Sequence, residues 1–255
     1  MRRFWLSAQL SYRALFTWLN PAGYVASRFL SPIFAALLFG TVAEHSGGAV
    51  ERPVVGGALM AVTAAAVFGV TLAVTNERFY GTLSAWLSSP QGLLASMLGK
   101  SVTHAVDGLL SASVTFLASA TVFGVAISPE DGFSLLLSAL AASIGGVGMG
   151  IVLAALAVAL RDTFTPANIG QAVLTVVSGA FVPVDRLPAF VRGISSVLPL
   201  SHAMDAAMAY LAHGRVDWRA LGIECLVGLA WGAVGLVLFA RMTGQARRHG
   251  TWNLV

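Results

Sequence analysis

The chain has 255 residues, of which 57% are hydrophobic and only 10% are charged, and its mean hydropathy is +0.80. A soluble domain carries about 25% charged residues, so this composition excludes an ordinary water-facing surface and predicts a protein built for the bilayer. The net charge of +4 comes without a basic stripe interleaved with aromatic residues, which disfavours nucleic-acid binding.

The first residues, 1–20, predict an amphipathic helix that lies in the membrane interface. Aromatic and aliphatic side chains share one arc of the helix between Phe4 and Leu19, and Arg13 falls on the other side. Asn20 and Pro21 end this predicted helix.

Six apolar segments follow, each long enough to cross a bilayer. We place these spans at residues 24–43, 54–75, 101–127, 133–160, 167–184 and 220–240. The sequence therefore predicts a single all-α transmembrane domain that takes up the whole chain, residues 1–255.

The loop charges orient the predicted spans. Ten of the 15 Lys and Arg residues fall on the side that holds both termini, and five fall on the other side. Because basic residues gather in cytoplasmic loops, we expect both termini in the cytoplasm of a multi-pass protein of the cell membrane. Two connections are too long for simple turns. Residues 76–100 lie on the cytoplasmic side and begin with the segment 76–90, and residues 185–219 lie outside, in the predicted hairpin region 184–219.

Residues 76–90 predict a short amphipathic helix that ends at Pro90. Drawn as a helix, its aromatic and aliphatic residues share one arc of about 120°, namely Phe79, Tyr80, Leu83, Trp86 and Leu87. Glu77, Arg78 and Gly81 cover part of the remaining surface. The pattern is compatible with an ordinary interfacial helix or with a lever whose apolar face stays on the bundle while its polar face follows a cytoplasmic partner.

Two motifs in this order resemble the type-2 permease family of ABC exporters. The first combines Glu77, Arg78, Gly81, Thr82 and Leu83 with Leu87, Ser89 and Pro90. The second runs through residues 178–183, Leu187, Pro188 and residues 198–201. Many members of the family place an Arg soon after the second motif, where this chain has Asp205 and Met208, so no role is carried over there.

The resemblance implies a permease that dimerises, with an identical copy or a relative, and pairs with two ATP-binding subunits. It implies a coupling helix at residues 76–90, whose contacts with the ATPase would come from Glu77, Arg78, Gly81, Thr82, Leu83, Trp86 and Leu87. ATP and magnesium would bind to the partner ATPase, and this chain would carry no cofactor.

The resemblance also implies an external hairpin between the fifth and sixth helices that dips back into the outer leaflet. Its gate residues would be Phe181, Pro183, Leu187, Pro188 and Pro199.

The chain itself lacks a phosphate-binding loop. Gly99, Lys100 and Ser101 match the end of such a loop, but the position that requires a glycine is Leu94. Energy must therefore come from a partner protein or from an ion gradient.

Membrane acids motivate the ion-gradient alternative. A charge in mid-bilayer costs on the order of 3 kcal/mol, so Asp107 and Glu224 need a reason to be there. Lys100, His104 and Asp107 share one helix face, which predicts either a mutually satisfied helix end or a cytoplasmic gate or site where substrate enters. A proton-coupled secondary transporter that uses Asp107 is the alternative function.

Catalysis and metal binding find little support in the sequence. The five histidines lack metal-ligand spacing, and Ser201 and His202 are adjacent, so they point about 100° apart on a helix and do not suit a triad with Asp205. We expect Cys225, the single cysteine, to be a thiol packed in the core and not a reactive one. Gly146 and Gly150 predict a close helix contact, either within one subunit or across a dimer.

The few charges in the spans favour a hydrophobic, drug-like or lipid-like substrate, with a lipid-linked glycan as the alternative. Membrane lipids are expected to surround the chain, and no enzymatic activity of its own is expected.

Overall fold

The structure is a computed structural model that describes residues 21–87, 93–126, 128–160, 162 and 164–249. The predicted interfacial helix at residues 1–20 and Pro90, the predicted end of the coupling helix, lie outside the described residues. All regular structure in the described part is helical, which confirms the predicted all-α class.

The first half of the chain forms a helical hairpin followed by a third long helix. Helix α1 (Pro21–Val25) continues through one π-helical turn (Ala26–Leu30) into α2 (Ser31–His45). Helix α3 (Glu51–Phe79) returns across the bundle, and a turn leads to the short α4 (Leu83–Leu87). Helix α5 (Leu93–Phe123) then runs back alongside α3.

The second half alternates long and short helices. The long helices are α6 (Pro129–Leu160) and α10 (Trp218–His249). Between them lie α7 (Thr165–Val177), a 3-10 turn (Val184–Arg186), α8 (Ala189–Ser195) and α9 (Ser201–His213).

Five helices of the described part are long and apolar enough to cross a membrane. They are Ala22–His45, Glu51–Phe79, Met97–Phe123, Pro129–Leu160 and Trp218–Met242. The predicted span at residues 167–184 is different, because α7 has only 13 residues. At 1.5 Å per residue it is about 20 Å long, shorter than the roughly 30 Å hydrocarbon core.

The beginning and end of α7 have local causes. Asp162 Oδ1 accepts hydrogen bonds from the backbone N–H groups of Phe164 and Thr165, each at 3.0 Å, and so caps the start of the helix. The N–H of Thr165 stabilises the carboxylate and lowers the pKa of Asp162. Gly179 adopts a φ of +79°, which ends the helical path two residues after Val177.

Helices α3 and α6 form the centre of the bundle. In their most apolar windows, 78% and 72% of the residues are buried, against 11% for the first span. The reason lies in their small residues, because Gly146 of α6 packs against the Thr63 backbone of α3 and Gly150 packs against Val70. The glycine pair predicted from sequence therefore makes its contact within one subunit.

A second set of glycines joins α6 to α10. A side chain at Gly148 would overlap the carbonyl of Gly228, and a side chain at Gly235 would meet Ile151 at 2.6 Å. Helix α6 is thus packed on both faces, against α3 and against α10, and it fixes the positions of the outer helices.

Candidate functional site

Two ends of the bundle are named here by residues of α3, which runs from one end to the other. The Arg52 end holds the start of α3, and the Gly81 end holds the turn that follows it. The predicted coupling segment lies at the Gly81 end, and the predicted hairpin lies at the Arg52 end, where Arg52 Nη1 donates to the Gly179 carbonyl at 2.7 Å.

The coupling segment is not one helix, and that prediction is wrong. Residues up to Phe79 belong to the last turns of α3, Gly81 adopts a φ of +70°, and a new helix begins at Leu83. Tyr80 and Thr82 donate their N–H groups to the carbonyls of Asn76 and Glu77, which closes the turn. Glycine favours this geometry because a Cβ in the left-handed region is strained.

The break changes which side chains face the bundle. Leu83 is buried, and Trp86 packs against the apolar cluster formed by α3, α5, α6 and α10. Phe79 and Tyr80 were predicted on the same arc, but they are 67% and 52% exposed and form an edge-to-face ring pair at 5.6 Å. The side chain of Leu87 lies outside the described residues.

Glu77 is held by two partners across the turn. Its carboxylate lies 2.5 Å from Lys100 Nζ of α5 and 2.5 Å from the hydroxyl of Thr82. Lys100 Nζ also donates to the Ala73 carbonyl at 3.0 Å and lies 4.9 Å from the centre of the Trp86 ring. One ammonium group of α5 therefore contacts both the end of α3 and Trp86 of α4.

Arg78 is also bound to the bundle. Its Nη1 donates to the backbone carbonyl of Val158, near the end of α6, at 2.9 Å. The prediction that Glu77 and Arg78 form a polar face turned wholly to a partner therefore needs correction, since both side chains fasten the turn to neighbouring helices.

The group predicted at Lys100, His104 and Asp107 is not mutually satisfied. Lys100 pairs with Glu77 as above, while Asp107 forms an ion pair with Arg28 of the π-helical turn, Nε to Oδ2 at 3.3 Å. Tyr24 donates its hydroxyl to Asp107 Oδ1. His104 packs against Gly69, where a side chain would overlap the imidazole ring.

Little in the sequence predicts these two ion pairs. Tyr24 and Arg28 are four residues apart, so they lie on one face of the first span and can reach the same carboxylate. Ser111, one turn beyond Asp107 on α5, donates to the carbonyl of Arg28. Glu77 and Lys100 are 23 residues apart, and no local pattern predicts their contact.

A cavity of about 440 Å³ lies between the first span, α3 and α7. Small and apolar residues form most of its wall, among them Ala35, Ala61 and Phe68. Arg28 and Gln171 also line it. Gln171 donates through Nε2 to the sulfur of Met60 at 2.9 Å, and its buried Oε1 accepts no hydrogen bond from the described residues.

The predicted gate residues lie along the segment between α7 and α9. Phe181 is buried and stacks on Phe39 of α2 with the ring centres 4.1 Å apart. Pro183 and Pro188 directly precede the 3-10 turn and α8, and Leu187 lies between these two elements. Pro199 packs against Gly145, close to the middle residue of α6.

Glu224 holds this segment against α10. Its carboxylate accepts hydrogen bonds from the backbone N–H groups of Leu200 at 2.6 Å and Ala203 at 3.2 Å, at the start of α9. Glu224 is fully buried, and Leu200 adopts a φ of 85° to make this connection. The sequence identifies Glu224 as a membrane acid but does not predict that it accepts these backbone hydrogen bonds.

The neighbouring serine and histidine do not form a catalytic pair. Ser201 shares a hydrogen bond of 2.9 Å with Ser195, and His202 Nε2 lies 3.0 Å from the carbonyl of Ser196. These contacts fold the segment between α8 and α9 onto itself, as expected for a structural role.

The fold is therefore that of a multi-pass helical membrane protein whose two ends carry distinct, fastened segments. The family model described as ABC-2 type transporter matches residues 7–212. The chain belongs to the ABC-2 type transporter family, and it is a membrane component of such a transporter, not itself catalytic. Comparisons with curated proteins and with solved structures found no significant match.

Proposed function

We propose that the chain is the permease subunit of an ATP-driven exporter that moves a hydrophobic, drug-like or lipid-like substrate out of the cytoplasm. A separate ATP-binding subunit would bind ATP and magnesium and would drive the permease through the Gly81 end. The observation that carries this proposal is the exposed aromatic pair Phe79 and Tyr80, presented on a turn that an ion pair fastens to two long helices.

Force from the ATPase would pass into the helix bundle through the exposed aromatic pair and the turn beneath it. Large apolar side chains that are exposed at the end of a membrane-spanning helix suit burial in a partner protein. The turn beneath them is tied to α5 through Lys100 and to α6 through Arg78. A displacement of the aromatic pair would therefore move α3, α5 and α6 together.

The proposed orientation puts the Gly81 end in the cytoplasm, in agreement with the distribution of basic residues. Because both termini are placed on the same side, the chain must cross the membrane an even number of times. Residues 165–180 support a sixth crossing despite the short α7, because Gly170 packs against Leu153 near the end of α6 and Gly179 binds Arg52 at the opposite end.

The proposed exit lies at the Arg52 end. Pro199 reaches the middle of α6, and the Trp231 indole donates to the Val197 carbonyl at 2.7 Å partway along α10. Both contacts support a hairpin that re-enters the membrane and closes the path outward. Phe181, which lies between α7 and this hairpin, stacks on Phe39.

A second permease copy, identical or related, is part of the proposal. The first span is the least buried of the five, and Phe34, Leu38 and Val42 form an exposed stripe along it at helical spacing. Such a stripe suits a second copy, with membrane lipid covering the remaining apolar surface.

The proton-coupled alternative is disfavoured by the surroundings of Asp107. Arg28 and Tyr24 engage both of its oxygens, so the carboxylate is neutralised by an ion pair in the resting fold. A proton carrier would have to break this pair in each cycle.

The experiment replaces Phe79 and Tyr80 with alanine together, in the permease reconstituted with its ATPase. We expect loss of substrate-stimulated ATP hydrolysis and of ATPase co-purification, with normal membrane insertion and an unchanged Tm, because these rings are exposed in the permease. The matched control is Phe190→Ala, which removes a ring that is 73% exposed on α8. Unchanged coupling in the double variant would contradict the proposal.

A further inference from the structure

The cavity between the first span, α3 and α7 has chemically different parts. Arg28 of the π-helical turn lines one part of the cavity. Phe181, which stacks on Phe39, lines another part. Most of the remaining lining residues are apolar side chains of the first span and α3, such as Ala35, Met60 and Phe68, and a few hydroxyl groups add to them, those of Ser27, Ser31, Ser111 and Thr175. A molecule with one polar group and an apolar body matches this distribution.

Arg28 is held in position to receive an anion. Its ion pair with Asp107 uses Nε, so the two terminal guanidinium nitrogens are not needed for that contact. Asp107 is 3% exposed and is not among the residues that line the cavity, whereas Arg28 is. A guanidinium paired through Nε has further N–H donors that suit a phosphate or carboxylate.

The π-helical turn contributes to this placement. Ser111 donates its hydroxyl to the Arg28 carbonyl, so α5 fixes the backbone of Arg28 as well as its side chain. Two contacts from one helix hold the residue rigidly, which lowers the entropic cost of binding a ligand there.

Gln171 supplies a second polar contact on the opposite wall. Its Oε1 is buried and accepts no hydrogen bond from the described residues, although it lines the cavity. A buried acceptor of this kind is costly unless a donor reaches it. A ligand hydroxyl or amide N–H in the cavity would satisfy it.

We infer that this cavity binds an anionic amphiphile, a molecule with a phosphate or carboxylate group at Arg28, a hydrogen-bond donor near Gln171 and an apolar chain directed toward Phe181. This inference rests on the proposed export function and narrows its substrate from hydrophobic molecules in general to those with an anionic group.

The test measures direct binding to the permease alone, in phosphatidylcholine nanodiscs, with empty nanodiscs as background. Radiolabelled decyl phosphate is the probe, decanol is its neutral counterpart, and inorganic phosphate is the free anion. We expect saturable binding of decyl phosphate at least about tenfold tighter than that of decanol, because a charge-assisted contact is added. Inorganic phosphate should not compete at the same concentration.

Variants assign the binding to the cavity. Arg28→Gln with Asp107→Asn removes both charges of the ion pair together, so no buried charge is left unpaired, and it should abolish the preference for decyl phosphate over decanol. Gln171→Leu leaves the ion pair intact and should weaken binding of a decyl phosphate analogue that carries a hydroxyl on its chain, but not of decyl phosphate itself. Ser113→Ala, in a separate apolar cavity, is the control and should change neither.

Equal affinity for decyl phosphate and decanol in the wild-type chain would overturn the inference. This comparison uses only the wild-type chain, so it does not depend on whether any variant folds. Competition by inorganic phosphate at equal concentration would also overturn it, in favour of a free-anion site. If decyl phosphate binds as expected while the Phe79 and Tyr80 variant keeps full coupling, the proposed coupling fails and the cavity assignment stands.

Discussion

Lys100 Nζ lies 2.5 Å from Glu77 Oε1 and joins the start of α5 to the end of α3 through a largely buried ion pair. The same ammonium lies against the Trp86 ring, so three elements meet at one side chain. Because the contact spans the turn that presents Phe79 and Tyr80, it is the place where the proposed coupling depends on a single pair of residues.

Replacement of Lys100 by methionine should therefore uncouple the permease from its ATPase. Glu77, with its side chain 24% exposed, would lose its charge partner, at a cost of about 1–3 kcal/mol. The checks are the Tm of the purified chain and substrate-stimulated ATP hydrolysis in the complex. The exchange Glu77→Lys with Lys100→Glu is the matched control, and it should restore part of the coupling. Full coupling in Lys100→Met would exclude this role.

Gly81→Ala should impair coupling with little effect on the rest of the bundle. The φ of +70° at Gly81 costs a residue with a Cβ about 1 kcal/mol, although the space around it is open. Strain should therefore redirect α4 rather than create a clash. Gly222→Ala, in open space within α10 and without positive φ, is the control and should leave ATP hydrolysis unchanged. Equal effects of the two substitutions would remove the conformational explanation.

Much of the fold follows from the sequence, and the exceptions have physical reasons. Long apolar runs predict α3, α6 and the other long helices because the bilayer requires about 20 consecutive apolar residues. The end of α7 was missed, since the apolar run continues through Phe181 and Val182 while Gly179 ends the helical path. Hydropathy does not record a glycine with positive φ in an apolar run.

For the candidate sites, the sequence predicts some of the residues but not their partners. Glu77, Arg78 and Trp86 were identified as important, but their partners Lys100 and the Val158 carbonyl are distant in sequence. The amphipathic arc predicted for residues 76–90 requires an unbroken helix. Gly81 interrupts that helix, so Phe79 and Tyr80 do not share one buried face with Leu83 and are exposed instead. Small residues such as Gly146 and Gly150 predict that a close helix contact exists, but a single sequence does not reveal which helix they pack against.

Gly148→Val should destabilise the bundle strongly. A side chain at Gly148 would meet the backbone of Gly228, which cannot move as a flexible side chain could, so we expect a cost of at least about 1–3 kcal/mol. Thermal unfolding in detergent measures the effect. Gly132→Val, on the same helix and in open space, is the control. A similar Tm for both variants would show that the close contact of α6 and α10 does not stabilise the fold.

Glu224→Ala should release the start of α9. The backbone N–H groups of Leu200 and Ala203 would lose their buried acceptor, at about 1–3 kcal/mol for each group. Glu224→Gln keeps one oxygen acceptor and should cost less. The measurement is the Tm of each variant, with the exposed Glu130→Ala as control. If glutamine and alanine have equal effects no larger than that of the control, the capping role is wrong.

The central claim is that the Gly81 end faces the cytoplasm, where an ATPase can reach it. In a Cys225→Ser background, Ser84→Cys places a thiol on the exposed side of α4, and Ala212→Cys places one near the end of α9 at the opposite end. A membrane-impermeant maleimide should label the cysteine at position 212 in intact cells and the cysteine at position 84 only in inverted vesicles. Labelling of position 84 in intact cells, with position 212 protected, would contradict the account.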